Sequence, residues 1–202
     1  MVREVLNRIR AAVTPLLRCL GWSLWRLGVT PSAVTLTGLL LSLTAPCFAL
    51  LGLSWVVLVL LVVSLACDLI DGAVAKASNQ ASPKGALMDS VSDRVEELMF
   101  SLSLGFLGVE WFLVMLFLGT SFLTSYLRAI ASQHSINLEG VGFMERGERG
   151  LLTAASLTLL ILVSRSHAEA LITLGVFLNT VTIMQRLKTL SAGLSKGQGP
   201  AP

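Results

Sequence analysis

The sequence predicts an all-α polytopic membrane protein, with six transmembrane helices preceded by an N-terminal amphipathic interfacial helix. Three observations predict it. Only 13% of the 202 residues are charged and 54% are hydrophobic, with a mean hydropathy of +0.78. A soluble domain carries roughly a quarter charged residues, so this chain has too little polar surface to coat itself against water. Next, long apolar runs recur at about the 20 residues of helix that hydrocarbon requires. Finally, the cations gather at alternate ends of those runs, as the positive-inside rule demands of a multi-pass protein.

Taken in order, residues 1–28 come before the first span. Val5, Ile9, Ala12, Val13, Leu16, Leu17 and Leu20 recur at helical spacing, opposite the arginines Arg8, Arg10, Arg18 and Arg26 that interrupt the stretch. That pattern predicts a helix lying in the cytoplasmic interface. The scattered arginines also leave no apolar core and cleavage site of a signal peptide. Thr30-Pro31 then reads as a helix start, with Thr30 as cap and Pro31 at the first helical position. Six spans follow, near Ala33–Leu53, Trp55–Ala75, Ala86–Leu107, Val109–Ser132, Leu151–Ser164 and Ala168–Leu190. The fifth is short by hydropathy, and its helix is expected to begin near Glu145. Residues 29–192 thus form one six-helix domain, and 193–202, rich in Gly and Pro, a flexible tail.

With six spans both termini share a side with the second-to-third and fourth-to-fifth loops. Most of the Lys and Arg residues fall there, which places both termini in the cytoplasm of a cell-membrane protein. The same bias accounts for the isoelectric point near 9.0 without nucleic acid as a partner. Cys19, Cys47 and Cys67 are scattered and lack metal-ligand spacing. His134 and His167 fall in predicted loops.

The chemistry is concentrated between Asp68 and Asp93. An acid within a span costs several kcal/mol and therefore usually faces the bundle interior and does something. Asp68, Asp71, Gly72 and Ala75 stand at i, i+3, i+4 and i+7, on one helix face. Gly85, Asp89 and Asp93 stand at i, i+4 and i+8, also on one face, and Glu96 and Glu97 follow. The polar link Ala77–Lys84 contains Pro83 and turns the chain, so two antiparallel helices would bring both acid faces together. Four converging carboxylates need cations to stay ionised, and oxygen-only donors suit Mg²⁺ or Mn²⁺. The alternative is a helix pair stapled by acid–base contacts such as Asp93 with Arg94 or Lys76.

The string DLIDGAVAKASNQASPKGALMDSVSD resembles the signature of the CDP-alcohol phosphotransferase family, D-x2-D-G-x2-A-R-x8-G-x3-D-x3-D. Asp68, Asp71, Gly72, Ala75, Gly85, Asp89 and Asp93 match it in identity and spacing, while Lys76 stands where the family has Arg. The resemblance implies transfer of a lipid phosphate from a CDP-lipid to an alcohol with release of CMP, in a family that is typically homodimeric. It implies two Mg²⁺ (or Mn²⁺) ions held by Asp68, Asp71, Asp89 and Asp93, with Asp93 also the general base. Gly72, Ala75, Lys76 and Gly85 would line the nucleotide pocket. Pro31, Ser32, Ala33 and Val34, in a Pro-Asn-x-x-Thr-like turn where Ser32 replaces Asn, would touch the CDP-lipid, as would Ser82.

For the acceptor, Ser125-Tyr126-Leu127-Arg128-Ala129, Gly142-Phe143-Met144-Glu145-Arg146-Gly147-Glu148-Arg149 and Gln185-Arg186-Leu187 are similar to strings of phosphatidylinositol-phosphate and archaetidylinositol-phosphate synthases. Arg128, Arg146, Arg149 and Arg186 supply cations that a phosphate monoester would attract, so inositol 1-phosphate is the leading acceptor. Ile130 stands where relatives often have a further Arg. Glycerol 3-phosphate is the alternative acceptor. Outside that chemistry, a cation transporter or a structural membrane protein would also contain intramembrane acids. Snorkelling at helix ends is the plain alternative for Arg128 and Arg186, and a salt-bridged helix start for Arg146.

Overall fold

The structure, a computed structural model, describes residues 15, 18–78, 82–195 and 197. Seven helices lie among them: α1 (18–26), α2 (Pro31–Leu50), α3 (Ser54–Ser78), α4 (Pro83–Phe106), α5 (Trp111–Gln133), α6 (Arg146–Leu162) and α7 (Arg165–Ser195). The described residues contain no strand. Most of the predicted interfacial helix, and the tail residues 196 and 198–202, lie outside the described residues.

α2, α3, α5 and α7 are long and apolar enough to cross a membrane, and only 22–33% of each apolar window is buried inside the protein. The rest faces outward, where Leu40, Leu50, Val59, Phe112 and Phe177 are each more than half exposed. Lipid is the solvent that such a surface fits. Two of the six predicted spans fall short of that standard. α4 carries six charged residues, Lys84, Asp89, Asp93, Arg94, Glu96 and Glu97, and α6 has only 17 residues. The helix of the fifth predicted span starts at Arg146 with Glu145 as N-cap, as its sequence suggests. His167, by contrast, belongs to the first turn of α7 rather than a loop, with Nδ1 2.8 Å from the Ser164 hydroxyl.

Helix starts follow local chemistry. Thr30 caps α2 through its Oγ1, which accepts from the Ala33 amide at 3.3 Å, and Pro31 needs no amide partner at the first position. Ser82 and Pro83 repeat this device at α4, where Ser82 Oγ accepts from the Gly85 amide at 3.1 Å. The chain packs as two compact units.

The first unit takes in the described residues up to Ala45 together with Val59–Met99. In it α1, α2, α3 and α4 are joined by contacts that admit little side-chain bulk. A Cβ on Gly21 of α1 would stand 2.7 Å from the Ala73 backbone in α3. A Cβ on Gly38 of α2 would stand 3.1 Å from Cys67 Cβ and 3.2 Å from Glu96 Oε1. Small residues at crossings are how helices approach closely in membranes.

The second unit comprises Pro46–Leu58 and the described residues from Phe100 on. Phe117 of α5, Leu152 of α6 and Gly175 of α7 meet at one level, where a Cβ on Gly175 would stand 2.9–3.1 Å from the two side chains. Polar glue supplements this packing, since Asn179 Nδ2 donates to Thr120 Oγ1 at 3.3 Å and to Ser121 Oγ at 3.1 Å.

Candidate active site

The four predicted metal-binding acids all lie in the first unit, on α3 and α4. Asp71 and Asp93 are buried, at 7% and 8% exposure, while Asp68 and Asp89 are half-buried. Buried carboxylates need donors, and α2 supplies one: Thr35 Oγ1 donates to Asp71 Oδ2 at 2.6 Å. Asp93 Oδ2 also lies 3.8 Å from Arg94 Nη1, so the acid–base contact weighed from sequence is present. One layer deeper, Ser64 of α3 donates to Glu96 Oε2 of α4 at 2.8 Å. This bond joins the two acid-bearing helices, α3 and α4.

The donor set suits a hard divalent cation, because it is all carboxylate oxygen and half of it is withdrawn from solvent. Gly72 is exposed, with no atom within 4 Å of an added Cβ, so the backbone beside Asp71 is open to a ligand. Among the described residues, no three His, Cys, Asp or Glu side chains are gathered at metal-holding distance. Carboxylates of like charge repel, and a bound cation is what would draw them in.

The other predicted nucleotide contacts are mostly accessible. Ser32, Ala33, Lys76 and Ser82 are exposed, and Pro31, Val34, Ala75 and Gly85 half-buried. Ser82 already has a structural task as the α4 cap.

The predicted acceptor arginines belong to the second unit and divide into two kinds. Arg128 is exposed and Arg146 half-buried. Arg149 and Arg186 are buried, at 3% and 2% exposure, and both reach Thr124. Arg149 Nη1 donates to Thr124 Oγ1 at 3.1 Å and to the Met144 carbonyl at 3.2 Å, and Nη2 to Ser125 Oγ at 3.1 Å. Arg186 Nη1 donates to the Thr124 carbonyl at 2.7 Å and Nε to the Val141 carbonyl at 3.0 Å. Its Nη2 stands 4.0 Å from Glu145 Oε1, and that same oxygen accepts from the Gly140 amide at 2.8 Å. Thr182 Oγ1 accepts from the amides of Phe143 and Met144 at 3.0 and 3.2 Å. Gly142 is needed in this loop, since its φ is +105° and a Cβ there would run into Thr182. The segment carrying Arg146 is therefore pinned to α5 and α7 by two guanidinium groups.

Sequence reasoning missed Thr35 and Glu96 as members of the acid site, and Glu145 and Thr182 as supports for the arginines. Thr35 stands in the Thr-Pro-Ser-Ala-Val-Thr string and Glu96 lies at i+7 from Asp89. These positions were signals, but neither spacing names a partner on another helix.

Known proteins resemble this chain in sequence and in fold. Residues 28–183 match the CDP-alcohol phosphatidyltransferase family. The chain is 34% identical over 147 residues to an archaetidylinositol phosphate synthase of Pyrococcus horikoshii, covering 72% of this chain and 78% of that one. To the archaetidylinositol phosphate synthase of Aeropyrum pernix it is 32% identical over 139 residues, covering 69% and 71%. Its fold is similar to that of the Mycobacterium tuberculosis phosphatidylinositol phosphate synthase with CDP-DAG bound, with a TM-score of 0.71 at 23% identity over 87% of this chain and 94% of that one. A structure of the same mycobacterial enzyme in complex with manganese and citrate matches with a TM-score of 0.69, over 87% and 88% of the two chains. With acids on α3 and α4 at the spacing of the family signature, this chain belongs to the CDP-alcohol phosphatidyltransferase family and is an enzyme of that kind.

Proposed function

We propose that this enzyme transfers the phospholipid moiety of a CDP-lipid, CDP-diacylglycerol or CDP-archaeol, to inositol 1-phosphate and releases CMP. The observation that carries the choice of acceptor is the convergence of Arg149 and Arg186 on Thr124, four residues before Arg128. A phosphate monoester is bound by such guanidinium groups far better than a zwitterion or a neutral alcohol. The relatives named archaetidylinositol phosphate synthases support the same acceptor.

In this reading Asp68, Asp71, Asp89 and Asp93 hold two divalent cations, Mg²⁺ or Mn²⁺. When bound, these would neutralise the diphosphate of the CDP-lipid and stabilise charge on the leaving CMP. The chain does the rest. Pro31, Ser32, Ala33, Val34, Gly72, Ala75, Lys76, Ser82 and Gly85 receive the CDP-lipid, with Gly72 leaving the backbone open to it. Lys76 contributes a point charge where the family's Arg would offer a fork. Arg128, Arg146, Arg149 and Arg186 hold the acceptor phosphate, the latter two also fixing the loop around it. Asp93 accepts the proton of the acceptor hydroxyl. The hydroxyl oxygen forms a bond to the lipid-side phosphorus as the bond from that phosphorus to the CMP oxygen breaks. Positioning and charge stabilisation account for such a displacement without a covalent enzyme intermediate.

The catalytic domain is 29–192, with six membrane crossings including α4 and α6, both termini cytoplasmic, and a homodimer as the assembly. Asp93 and Glu96, two of the six charged residues of α4, are buried in the protein, which lowers the cost of a crossing.

The deciding experiment incubates purified enzyme and Mg²⁺ with CDP-diacylglycerol or CDP-archaeol and one acceptor at a time, and identifies the lipid product by mass spectrometry. Inositol 1-phosphate should yield the lipid inositol phosphate, and Asp71→Asn or EDTA should stop CMP release with the helix content intact. Product with glycerol 3-phosphate alone would replace the acceptor by the alternative named above. Full turnover by Asp71→Asn would end the metal-assisted reading.

A further inference from the structure

We propose that Ser64 and Glu96, which lie outside the family's spacing pattern, form the register lock that sets the four catalytic acids at matching depth. This inference rests on the metal-assisted reading of those acids and adds two positioning residues to it.

α3 runs toward the turn before Pro83 and α4 runs away from it, so the two helices are antiparallel where Ser64 meets Glu96 at 2.8 Å. Both rise about 1.5 Å per residue. Ser64 is therefore about 21 Å back along α3 from Ser78, and Glu96 about 20 Å along α4 from Pro83. Counting equal steps in opposite directions from this bond pairs residue 68 with 92, 71 with 89 and 75 with 85. Asp71 thus stands level with Asp89, Asp68 one step from Asp93, and Ala75 level with Gly85.

The faces agree as well as the levels. Ser64, Asp68, Asp71 and Ala75 stand at i, i+4, i+7 and i+11, and Gly85, Asp89, Asp93 and Glu96 at i, i+4, i+8 and i+11, so each set keeps to one helix face. Ser64 and Glu96 are the deep end of both stripes, at 0% and 3% exposure. A slip of α4 by one residue would rotate its stripe by about 100° and turn Asp89 and Asp93 off the shared face.

α2 closes the third side of this layer. Gly38, itself buried, brings its backbone so close that an added Cβ would stand 3.2 Å from Glu96 Oε1. The same helix places Thr35 on Asp71 at 2.6 Å. Glu96 is thereby confined between a hydroxyl on α3 and a glycine on α2, so its carboxylate has a fixed place from which α4 is indexed. A buried polar pair that specifies register rather than adding stability is a well-attested use of such groups.

The test uses full-length protein in detergent and reads Mn²⁺ binding by electron paramagnetic resonance, together with CMP release and thermal unfolding. Ser64→Ala and Glu96→Ala should each weaken Mn²⁺ binding roughly tenfold or more, and the double variant should be no worse than either single change, as expected of one coupled interaction. Glu96→Gln, whose amide oxygen can still accept from Ser64, should recover most of the binding. Should Glu96→Ala fail to fold, Ser64→Ala and Glu96→Gln still decide the matter. Wild-type Mn²⁺ affinity in Ser64→Ala overturns the lock. So does a Glu96→Gln variant with impaired Mn²⁺ binding beside an unimpaired Ser64→Ala, since the charge of Glu96 rather than its bond would then matter. Either result leaves the metal reading standing if Asp71→Asn loses Mn²⁺. If Asp71→Asn binds Mn²⁺ normally, the metal reading falls first.

Discussion

At the scale of single residues, the most consequential contact is the 2.6 Å hydrogen bond from Thr35 to the buried Asp71 carboxylate. A hydrogen bond to an ionised group contributes about 1.5–3 kcal/mol, and a buried charge deprived of its donor costs a comparable amount. The bond also fixes which way Asp71 Oδ2 points. Thr35→Val keeps the shape and removes the donor, so CMP release should fall by about tenfold or more by the same energetics. Thr35→Ser should stay near wild type, and a radiolabelled CDP-lipid assay compares the two. The arginines call for a similar distinction. Arg186 spends Nε and Nη1 on the Val141 and Thr124 carbonyls, a fork that lysine cannot reproduce. Arg186→Lys should therefore lose about 1.5–3 kcal/mol of stability, visible as a lower melting temperature in detergent. Arg128 is exposed, so Arg128→Ala should leave melting unchanged and raise the KM for the phosphorylated acceptor.

Among elements, α4 is the one whose character the protein most alters. On its own it is the least membrane-like of the long helices, with six charged residues in 24. Packing changes the solvent that those charges meet. Glu96 is covered by Ser64 and approached by Gly38, and Asp93 is buried beside Arg94. The loop before α6 is shaped in the same manner, by side chains from elsewhere: two arginine donors and one threonine acceptor. Val141, Phe143 and Met144 present backbone groups to Arg186, Thr182 and Arg149, and Gly142 supplies the left-handed turn that lets them do so. Short polar segments in lipid-facing proteins must satisfy their backbone internally, and this one does so through side chains of the α5–α7 layer.

At the largest scale, the four long apolar helices α2, α3, α5 and α7 turn most of their apolar residues outward, and lipid or detergent is the solvent that such faces fit. The cation bias of the sequence supports a topology with both termini in the cytoplasm. An epitope tag on the C-terminus should accordingly be cleaved by protease in inside-out membrane vesicles and protected in right-side-out ones. The reverse pattern would overturn the cytoplasmic placement of the termini.

Much of this protein was decided locally and could therefore be read from the chain alone. Hydropathy and length give the helices, Thr30-Pro31 and Ser82-Pro83 start two of them, and the seven matching positions between Asp68 and Asp93 specify the acid faces and the family. Those properties depend on neighbours within a few turns. Tertiary structure alone decided that Thr35 donates to Asp71, that Ser64 meets Glu96, and that Arg149 and Arg186 are buried on Thr124 while Arg128 is exposed. These partners lie 25 to 62 residues apart, and helices whose outer faces are apolar in lipid leave little periodic contrast to show which side packs inward. A donor and its acceptor on different helices meet only once depth and rotation are fixed, and only the packed fold fixes both.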